Sequence, residues 1–399
     1  MDKKNWEIVD PSRLTETEAF RPSLTYWQDA WRRLKKNIGA MIGLAGVILM
    51  LLFGFLGPQF TDFSYSDQNL DYSNLPPRLA IYKLDEDLWV YLSNDYKLLR
   101  VSEKGKLIER IERPAELNPR AVIDKKYIFL YNDEEITVDF SYAKRYNDTG
   151  EGYRFTIIYR GTTHIEPDKN VGNRMYPFGT DKVGRDLLTR VMFGARISLI
   201  VAFIATLVSF FIGVIYGAVS GYEGGKIDNF MMRVVDIINS IPLILLVILL
   251  MVMFERGGLW TIIIALGAVY WVGMARLVRG QTLSLKNQEF VLAAITLGVS
   301  KRKIISRHLI PNAMGPILVS MTMMIPSAVF TESFLSFIGL GVSAPMASWG
   351  TLANESLPAL TTYPYQLFFP AGAIAITMLA FNFVGDGLRD ALDPRLRKG

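Results

Sequence analysis

Long runs without a charged residue dominate the hydrophobic pattern of this chain. Six runs lack Asp, Glu, Lys and Arg and approach the roughly 20 apolar residues that a helix needs to cross a bilayer. They are Ile38–Phe60, Ile197–Tyr222, Ile237–Phe254, Gly257–Ala275, Leu309–Thr331 and a last run that ends near Gly385. Buried helices of a soluble protein imitate one or two such runs, whereas six predict an α-helical polytopic membrane protein. The first run lacks a cleavage site after it, so we expect it to be retained as a transmembrane helix.

Between the first and second runs the pattern changes to that of β-strands. Strand-like stretches begin at Leu79, Leu88, Lys126, Ile136 and Tyr153, and turn-forming residues separate them. We therefore predict a β-rich domain over residues 61–176, after a polar segment (1–37) and a first transmembrane helix (38–60), and before a five-helix core (177–399). The aromatic residues of the strands are more typical of a sheet core than of a ligand site.

The positions of Lys and Arg predict how the helices are oriented in the membrane. Four of them, at positions 32, 33, 35 and 36, precede the first run, and seven lie between the fourth and fifth runs. The loop from Glu332 to Gln366 contains neither. Because Lys and Arg collect in short cytosolic loops, we expect both termini in the cytosol and the β-rich domain outside. The same rule accounts for the net charge of +5, so no nucleic acid partner is expected.

The composition limits the chemistry that this chain can perform. It has no cysteine, and its two histidines fall in different regions. The phosphate-binding pattern Gly-x-x-x-x-Gly-Lys-Ser/Thr is absent; the nearest approach, at residues 221–226, lacks the spacing and the hydroxyl. We therefore expect no catalytic, cofactor-binding or metal-binding residues. Three charged residues, Asp181, Arg185 and Asp186, precede the second run, but no nucleophile accompanies them. We therefore expect them to form structural charge pairs or to contact another protein.

The loop between the fourth and fifth runs, residues 280–310, is the most informative segment. Glu289–Leu297 predicts a helix at the membrane surface, Gly298 fits the left-handed residue that ends it, and Ser300 fits the N-cap of the next helix. The apolar face of this helix consists of Phe290, Ala293, Ala294 and Leu297. Such a face is typical of a helix that binds in a partner's groove. The alternative is a helix on lipid headgroups, which the basic residues 301–303 favour.

This segment resembles the signature loop of permease subunits in binding-protein-dependent ABC importers. In that family a Glu-Ala-Ala triplet is followed by Gly four residues after its last Ala, and later by an aliphatic-Pro pair. Here Ala293-Ala294, Gly298 and Ile310-Pro311 hold those positions. Leu292 replaces the Glu of the triplet, and an acid stands at Glu289 instead.

Three further stretches resemble the C-type permease subunit of the oligopeptide/dipeptide branch. They run from Phe178 to Leu199, from Glu332 to Gly341, and from Phe381 to Arg395. The resemblance does not extend to the β-rich block, which looks like an insertion unusual for this family.

The resemblance implies a type I ABC importer permease fold and a set of partners. These are a homologous permease subunit in a heterodimer, two cytosolic ATPase subunits, an extracytoplasmic binding protein and a peptide, in a bacterial cytoplasmic membrane. ATP and Mg would bind on the ATPases, so this chain would bind no cofactor and would not be an enzyme. The residues expected to couple the chain to the ATPases are Glu289, Phe290, Ala293, Ala294, Leu297, Gly298 and Ser300.

Candidates for the translocation pathway lie around the fifth run. Glu332 is a candidate contact for a peptide amino terminus. The segment Leu335–Gly341, which contains Phe337, fits either a re-entrant helix of an outer gate or an ordinary interfacial loop. Met321 and Met324 fit an adaptable lining, although methionine in a membrane helix more often serves packing. At the cytosolic end of the third run we expect a mutual pair between Arg233 and Asp236.

Two rival functions follow from the sequence. The first is a membrane receptor whose β-rich domain senses a ligand. The second is an ion-coupled secondary transporter, which would carry ionisable residues in mid-membrane, and the six runs are nearly empty of these. The substrate stays open among dipeptides, oligopeptides, nickel complexes and other small solutes.

Overall fold

The structure is a computed structural model that describes residues 25–141, 143, 154–253, 258–342 and 345–393. The helices are α1 (Tyr26–Lys36), α2 (Ile38–Phe55), α3 (Ala121–Asp124), α4 (Leu187–Glu223), α5 (Gly225–Ser240), α6 (Leu243–Met253), α7 (Leu259–Leu285), α8 (Glu289–Thr296), α9 (Lys301–Leu340), α10 (Trp349–Ser356) and α11 (Tyr365–Leu392). The strands are β1 (Arg78–Lys83), β2 (Trp89–Leu92), β3 (Leu98–Val101), β4 (Leu107–Arg110), β5 (Lys126–Tyr131), β6 (Glu134–Asp139), β7 (Thr156–Tyr159), β8 (Thr162–His164) and β9 (Lys169–Gly172).

Five helices are long and apolar enough to cross a membrane: α2, α4, α7, α9 and α11. They cover most of five of the six predicted runs, although α2 ends at Phe55 rather than at Phe60, and this confirms a helical polytopic membrane protein. The predicted third span, Ile237–Phe254, is wrong as a straight helix, because α5 and α6 meet at a bend of 88°. Pro242 disfavours helical backbone at the preceding Ile241, which is extended (φ −84°, ψ 125°). Counted as one bent span, α5 and α6 give a sixth crossing.

Glycines at every fourth position let α4 and α7 approach each other closely. A Cβ atom on Gly213 would lie 2.6 Å from Met274 Cβ, and one on Gly217 would lie 2.3 Å from the carbonyl oxygen of Ala275. One on Gly221 would lie 2.8 Å from Thr282 Cβ. Residues four apart share a helix face, and small residues in this spacing let membrane helices pack backbone to backbone. We call this contact the glycine seam.

Helix α2 packs in the same manner on α11. A Cβ atom on Gly43 would lie 2.6 Å from the Ala380 carbonyl oxygen, and one on Gly387 would lie 2.1 Å from Ala40 Cβ. Helix α2 therefore belongs to the helical body, although the β-rich region separates it from α4 in the sequence.

The region between α2 and α4 contains two antiparallel sheets, ordered β4-β3-β2-β1-β9 and β5-β6-β7-β8. Val90 and Leu98 of the first sheet share one core with Phe129 and Ile136 of the second. The five predicted strand stretches are confirmed, although Tyr153 lies outside the described residues. Strands β3, β4, β8 and β9 were not predicted: each has three or four residues and, unlike the equally short β2 and β7, contains no Phe, Tyr or Trp.

The first and last strands of this region are neighbours. Strand β1 pairs with β9, with Leu79 opposite Val171, so the chain enters and leaves the sheets at one place. The segment beside it joins the region to the helices: the Thr180 carbonyl accepts hydrogen bonds from Tyr365 Oη at 3.0 Å and Gln366 Nε2 at 3.1 Å. The aromatic side chains Trp89 and Tyr91 are buried, which confirms the prediction that they form core.

Substitution of Gly217 tests the glycine seam. We expect Gly217→Ala to destabilise the protein by about 1–3 kcal/mol, because the new methyl group overpacks against α7. Gly280→Ala in α7 is the matched control, since a Cβ atom there meets open space. Thermal unfolding in detergent should show a lower Tm for the first variant alone; equal Tm values for both would contradict close packing at the seam.

Candidate functional site

Helix α8 occupies the predicted position between the two long helices α7 and α9. Its inward side chains, Val291 and Ala294, are buried against Ile304 and Leu309 of α9 and against Tyr222 at the end of α4. An eight-residue helix is too short to be stable alone in water. Its stability therefore comes from this contact, which fixes α8 to α4 and α9.

The end of α8 is a Schellman turn centred on Gly298. Val299 N donates to the Ala294 carbonyl at 3.0 Å, and Gly298 N donates to the Ile295 carbonyl at 2.9 Å. Gly298 has φ +72°, the left-handed conformation that glycine adopts without a steric cost. Val299 joins Ala294 in the apolar cluster, which is the hydrophobic contact that accompanies this motif. The predicted role of Gly298 in ending the helix is confirmed.

The outward side of α8 is apolar and accessible. Phe290 and Ala293 are exposed, Leu297 is 82% exposed, and a Cβ atom on Gly298 would meet open space. The expectation that Ala294 shares this face is wrong. Its side chain is only 6% exposed, because it is the innermost position of the turn. We call Phe290, Ala293 and Leu297 the docking stripe.

The start of α9 differs from the prediction in one detail. Ser300 stands at the N-cap position with extended backbone, yet its side chain makes no capping hydrogen bond. Instead, Lys301 Nζ lies 2.8 Å from Glu223 Oε2 at the end of α4. This pair is exposed, so solvent screens it and it adds little to stability.

A more enclosed ion pair joins three helices on the same side of the molecule. Arg279 of α7 binds both carboxylate oxygens of Asp228 of α5 at 2.6 Å, and Ser220 of α4 donates to the same carboxylate. The predicted pair of Arg233 with Asp236 is wrong, because Asp236 lies 2.8 Å from Arg276.

Glu332 is fully buried within the helical body. Its carboxylate accepts hydrogen bonds from Ser198 of α4 at 2.6 Å and from Ser336 at 2.8 Å, and Ser333 lies 3.4 Å away. A peptide amino group could reach this carboxylate only after α4 and α9 separate. Glu332 therefore holds two helices together in this conformation.

The remaining pathway candidates all lie within α9. Leu335 is buried and Phe337 is half-buried. Residues Ser336–Leu340 form a π-helical turn at the end of α9, which is kinked at Gly339 by a left-handed φ of +89°. The choice between a gate helix and an interfacial loop stays a prediction.

Two cavities lie beside α9. One of about 620 Å³ lies at the bend between α5 and α6 and is lined in part by Tyr270, Ser320 and Met324. The other, of about 870 Å³, lies between α7, α9 and α11 and is lined in part by Gln281, Ser320 and Arg389. Met321 instead packs against the cluster around Ile317. Ser320 borders both cavities, and no sequence signal distinguished it from other helix serines.

The charged residues before α4 form a buried network. Arg190 lies 2.8 Å from both Asp181 and Glu355, and Arg185 lies 2.6 Å from Asp181 and 2.9 Å from Glu355. Asp186 caps α4 by accepting from Thr189 N at 2.9 Å. The predicted structural role of these charges is confirmed. No sequence pattern indicated Glu355, which reaches the network from α10.

The network also sets the titration of Glu355. Burial would raise the pKa of the Glu355 carboxyl, but the hydrogen bond and positive charge of Arg190, with the charge of Arg185, outweigh it and leave the pKa below its usual value. Across the described residues, no group of three or more Asp, Glu or His side chains is arranged to hold a metal ion.

Two family profiles match this chain. The profile described as the binding-protein-dependent transport system inner membrane component matches residues 209–398. The profile of the N-terminal TM domain of oligopeptide transport permease C matches residues 25–77. All nine described strands fall in the interval between these matches.

Curated relatives match over most of the chain. It is 40% identical to the oligopeptide transport system permease protein OppC of Bacillus subtilis, covering 95% of this chain and 92% of that protein. It is also 40% identical to the dipeptide transport system permease protein DppC of the same organism, covering 98% and 93%. Identity to the OppC protein of Escherichia coli is 49%, over 58% of this chain and 75% of that protein.

Among solved structures, an inward-facing MetNI methionine ABC transporter aligns with a TM-score of 0.43 and 20% identity. The alignment covers 51% of this chain and 96% of that chain.

Loss of the Arg190 guanidinium tests the buried network. We expect Arg190→Met to cost up to about 3–5 kcal/mol near neutral pH, because it leaves Asp181 and Glu355 with only one of their two shared cations, Arg185. A lowered carboxyl pKa stabilises the fold above the unfolded-state pKa of about 4.3, and the effect disappears as pH falls through the lower folded value. The Tm deficit of the variant should therefore shrink below about pH 4.

Lys182→Met is the control for loss of a weaker, exposed charge, because Lys182 follows Asp181 in the sequence and is exposed; it should lower the Tm far less than Arg190→Met. A Tm deficit for Arg190→Met that does not change with pH would contradict the carboxylate assignment.

Substitution of Gly298 tests the turn separately from any partner. We expect Gly298→Val to strain the left-handed backbone by about 1–2 kcal/mol, whereas Gly298→Asn should cost less because Asn tolerates this conformation. Hydrogen exchange of a peptide spanning residues 289–300 should accelerate several-fold in the Val variant. Equal protection in the Val and Asn variants would show that the turn does not fix the end of α8.

Proposed function

Because this chain belongs to the family of binding-protein-dependent transport permeases, in its oligopeptide and dipeptide branch, we propose that it forms half of a peptide pathway and is driven through α8 by separate ATPases. The chain is a permease of an ABC importer and not the ATPase. Family membership, together with the apolar helices, confirms the type I permease fold. The partners and the coupling mechanism remain parts of the proposal.

The docking stripe carries the coupling proposal. It presents Phe290, Ala293 and Leu297 on a helix that Val291 and Ala294 fix to the rest of the protein. A large apolar side chain that is 82% exposed, such as Leu297, gains free energy when a partner's groove covers it. The open space around Gly298 leaves room for that groove to approach the backbone.

Force applied to α8 would reach the membrane helices through the contacts of its inner face. Ile304 and Leu309 belong to α9, and Tyr222 belongs to α4, which the glycine seam joins to α7. We propose that closure of two ATPases moves α8 together with these helices. Helices α4 and α9 would then separate at Glu332 as one step of the change between the inward-facing and the outward-facing conformation.

The pathway proposal places the peptide beside α9. Ser320 and Met324 line the cavity at the bend between α5 and α6, and Ser320 also lines the cavity toward α11. A second, homologous permease subunit would close the open sides of these cavities, and an extracytoplasmic binding protein would deliver the peptide. Ser320 and Met324 are uncharged, which suits a path that accepts peptides of varied side chains.

The proposed orientation of the chain in the membrane follows from the positions of Lys and Arg in its short loops. The side that carries α8, α1 and the C-terminal end of α11 faces the cytosol of a bacterial cell, and the two β-sheets face outward. On this orientation ATP and Mg bind on the cytosolic partners and this chain binds neither.

Capture of the ATPase subunits tests the docking stripe. We expect Leu297→Asn, combined with Phe290→Asn, to lower ATPase capture and peptide uptake at least about tenfold, because about 1.4 kcal/mol of lost binding already gives that factor. The control is Leu292→Asn, which changes an exposed leucine on another side of α8. Copurification and uptake are measured after quantifying membrane insertion, and undiminished capture by the double variant would refute docking through this stripe.

A further inference from the structure

Helix α1 presents an aromatic row and a cationic row side by side. Trp27, Trp31 and Lys35 follow each other at four-residue spacing, and Arg32 and Lys36 occupy the next row around the helix. Trp27 is 52% exposed and Trp31 is 48% exposed. The Lys35 ammonium lies 5.1 Å from the centre of the Trp31 ring, so the two rows meet there.

The side of α1 opposite the cationic row is occupied by the chain itself. Ala30 and Leu34 are buried, and Leu34 packs with Ala40 and Ala391 at the ends of α2 and α11. This contact fixes which side of α1 faces away from the protein. Arg33 is engaged by Asp29 at 2.8 Å, which leaves Arg32, Lys35 and Lys36 as the cations of the outward side.

One residue, Asn37, separates α1 from the membrane span α2. Its extended backbone (φ −83°, ψ 105°) ends α1, and its side chain caps α2 by accepting from Ala40 N at 3.1 Å. Helix α2 begins with Ile38, whose side chain is largely exposed. Helix α1 therefore lies where the apolar interior of the membrane gives way to headgroups.

We propose that the outward side of α1 binds anionic phospholipid headgroups of the cytosolic leaflet, with Trp27 and Trp31 at the acyl boundary and Arg32, Lys35 and Lys36 on the phosphates. Indole rings favour this boundary, since they combine an apolar body with one hydrogen-bond donor. Each Lys or Arg near an anionic surface adds attraction. The inference rests on the cytosolic orientation proposed above, but not on docking through α8.

Brominated lipids provide the test, because bromine quenches indole fluorescence on contact. The full chain is reconstituted in vesicles that contain phosphatidylcholine and phosphatidylglycerol in a fixed ratio. The same molar amount of lipid is brominated in each sample, either as phosphatidylglycerol or as phosphatidylcholine. Subtraction of the signal of the Trp27→Phe/Trp31→Phe variant isolates these two indoles from the other tryptophans. We expect quenching by brominated phosphatidylglycerol to exceed quenching by brominated phosphatidylcholine by about twofold or more at low salt.

Charge variants identify the cause of that preference. Arg32→Gln/Lys36→Gln should abolish the difference between the two lipids while quenching by either lipid persists. Lys226→Gln/Arg233→Gln removes two exposed cations from α5 on the same proposed side and should retain the difference. Unchanged preference in the first pair, or lost preference in the second, would overturn the assignment to α1.

Two other results would overturn the inference while leaving the proposed function intact. Equal quenching by both lipids would place the indoles in the interface without selecting anionic headgroups. Absence of quenching by either lipid would mean that protein, such as another subunit, covers the row. ATPase capture by the same preparations separates these results from a failure of the importer proposal, because capture depends on α8.

Discussion

The close packing of α4 against α7 is the contact on which the rest of this structure depends. Gly213, Gly217 and Gly221 allow backbone atoms of the two helices to meet where any side chain would collide. In a membrane, where association gains little from the hydrophobic effect, such close contact is a main source of helix stability. The seam turns two long helices into one body that ends beside α8, with the Arg279–Asp228 pair at the same end.

The fixed attachment of α8 would let a short helix transmit force in the proposed coupling. Its inner side chains are anchored to α4 and α9, and its C-terminus is closed by a hydrogen-bonded turn at Gly298. Each contact reduces the freedom of α8 to move independently of the membrane helices. Under the proposed function, a partner that grips the docking stripe would displace α4 and α9 rather than bend a loop.

Sequence reasoning located most elements, and its errors have physical causes. The spans were predictable because soluble domains seldom contain several charge-free runs of membrane length, and Gly298 was predictable because helix ends favour glycine. The bend at Ile241 was missed although Pro242 was visible, since hydropathy does not register backbone breaks. Ala294 was assigned to the wrong side, because spacing defines which residues share a face but not which neighbour covers it.

Contacts between distant residues were beyond prediction from spacing. Glu355 joins Arg190 across 165 residues, and Ser198 reaches Glu332 across 134. Both pairs depend on how α10 and α9 pack on α4. The glycine seam was likewise visible only as glycines in an apolar run, since their purpose depends on the facing helix.

The coupling account is tested most directly by the accessibility of position 297 in the assembled transporter. Because the chain contains no cysteine, Leu297→Cys introduces a single thiol, and its labelling by a water-soluble maleimide can be compared with and without the ATPase subunits. The account predicts rapid labelling of the permease alone and strong protection once the ATPases bind, with Lys226→Cys labelled equally in both states. Equally rapid labelling of position 297 in the assembled, active transporter would contradict it.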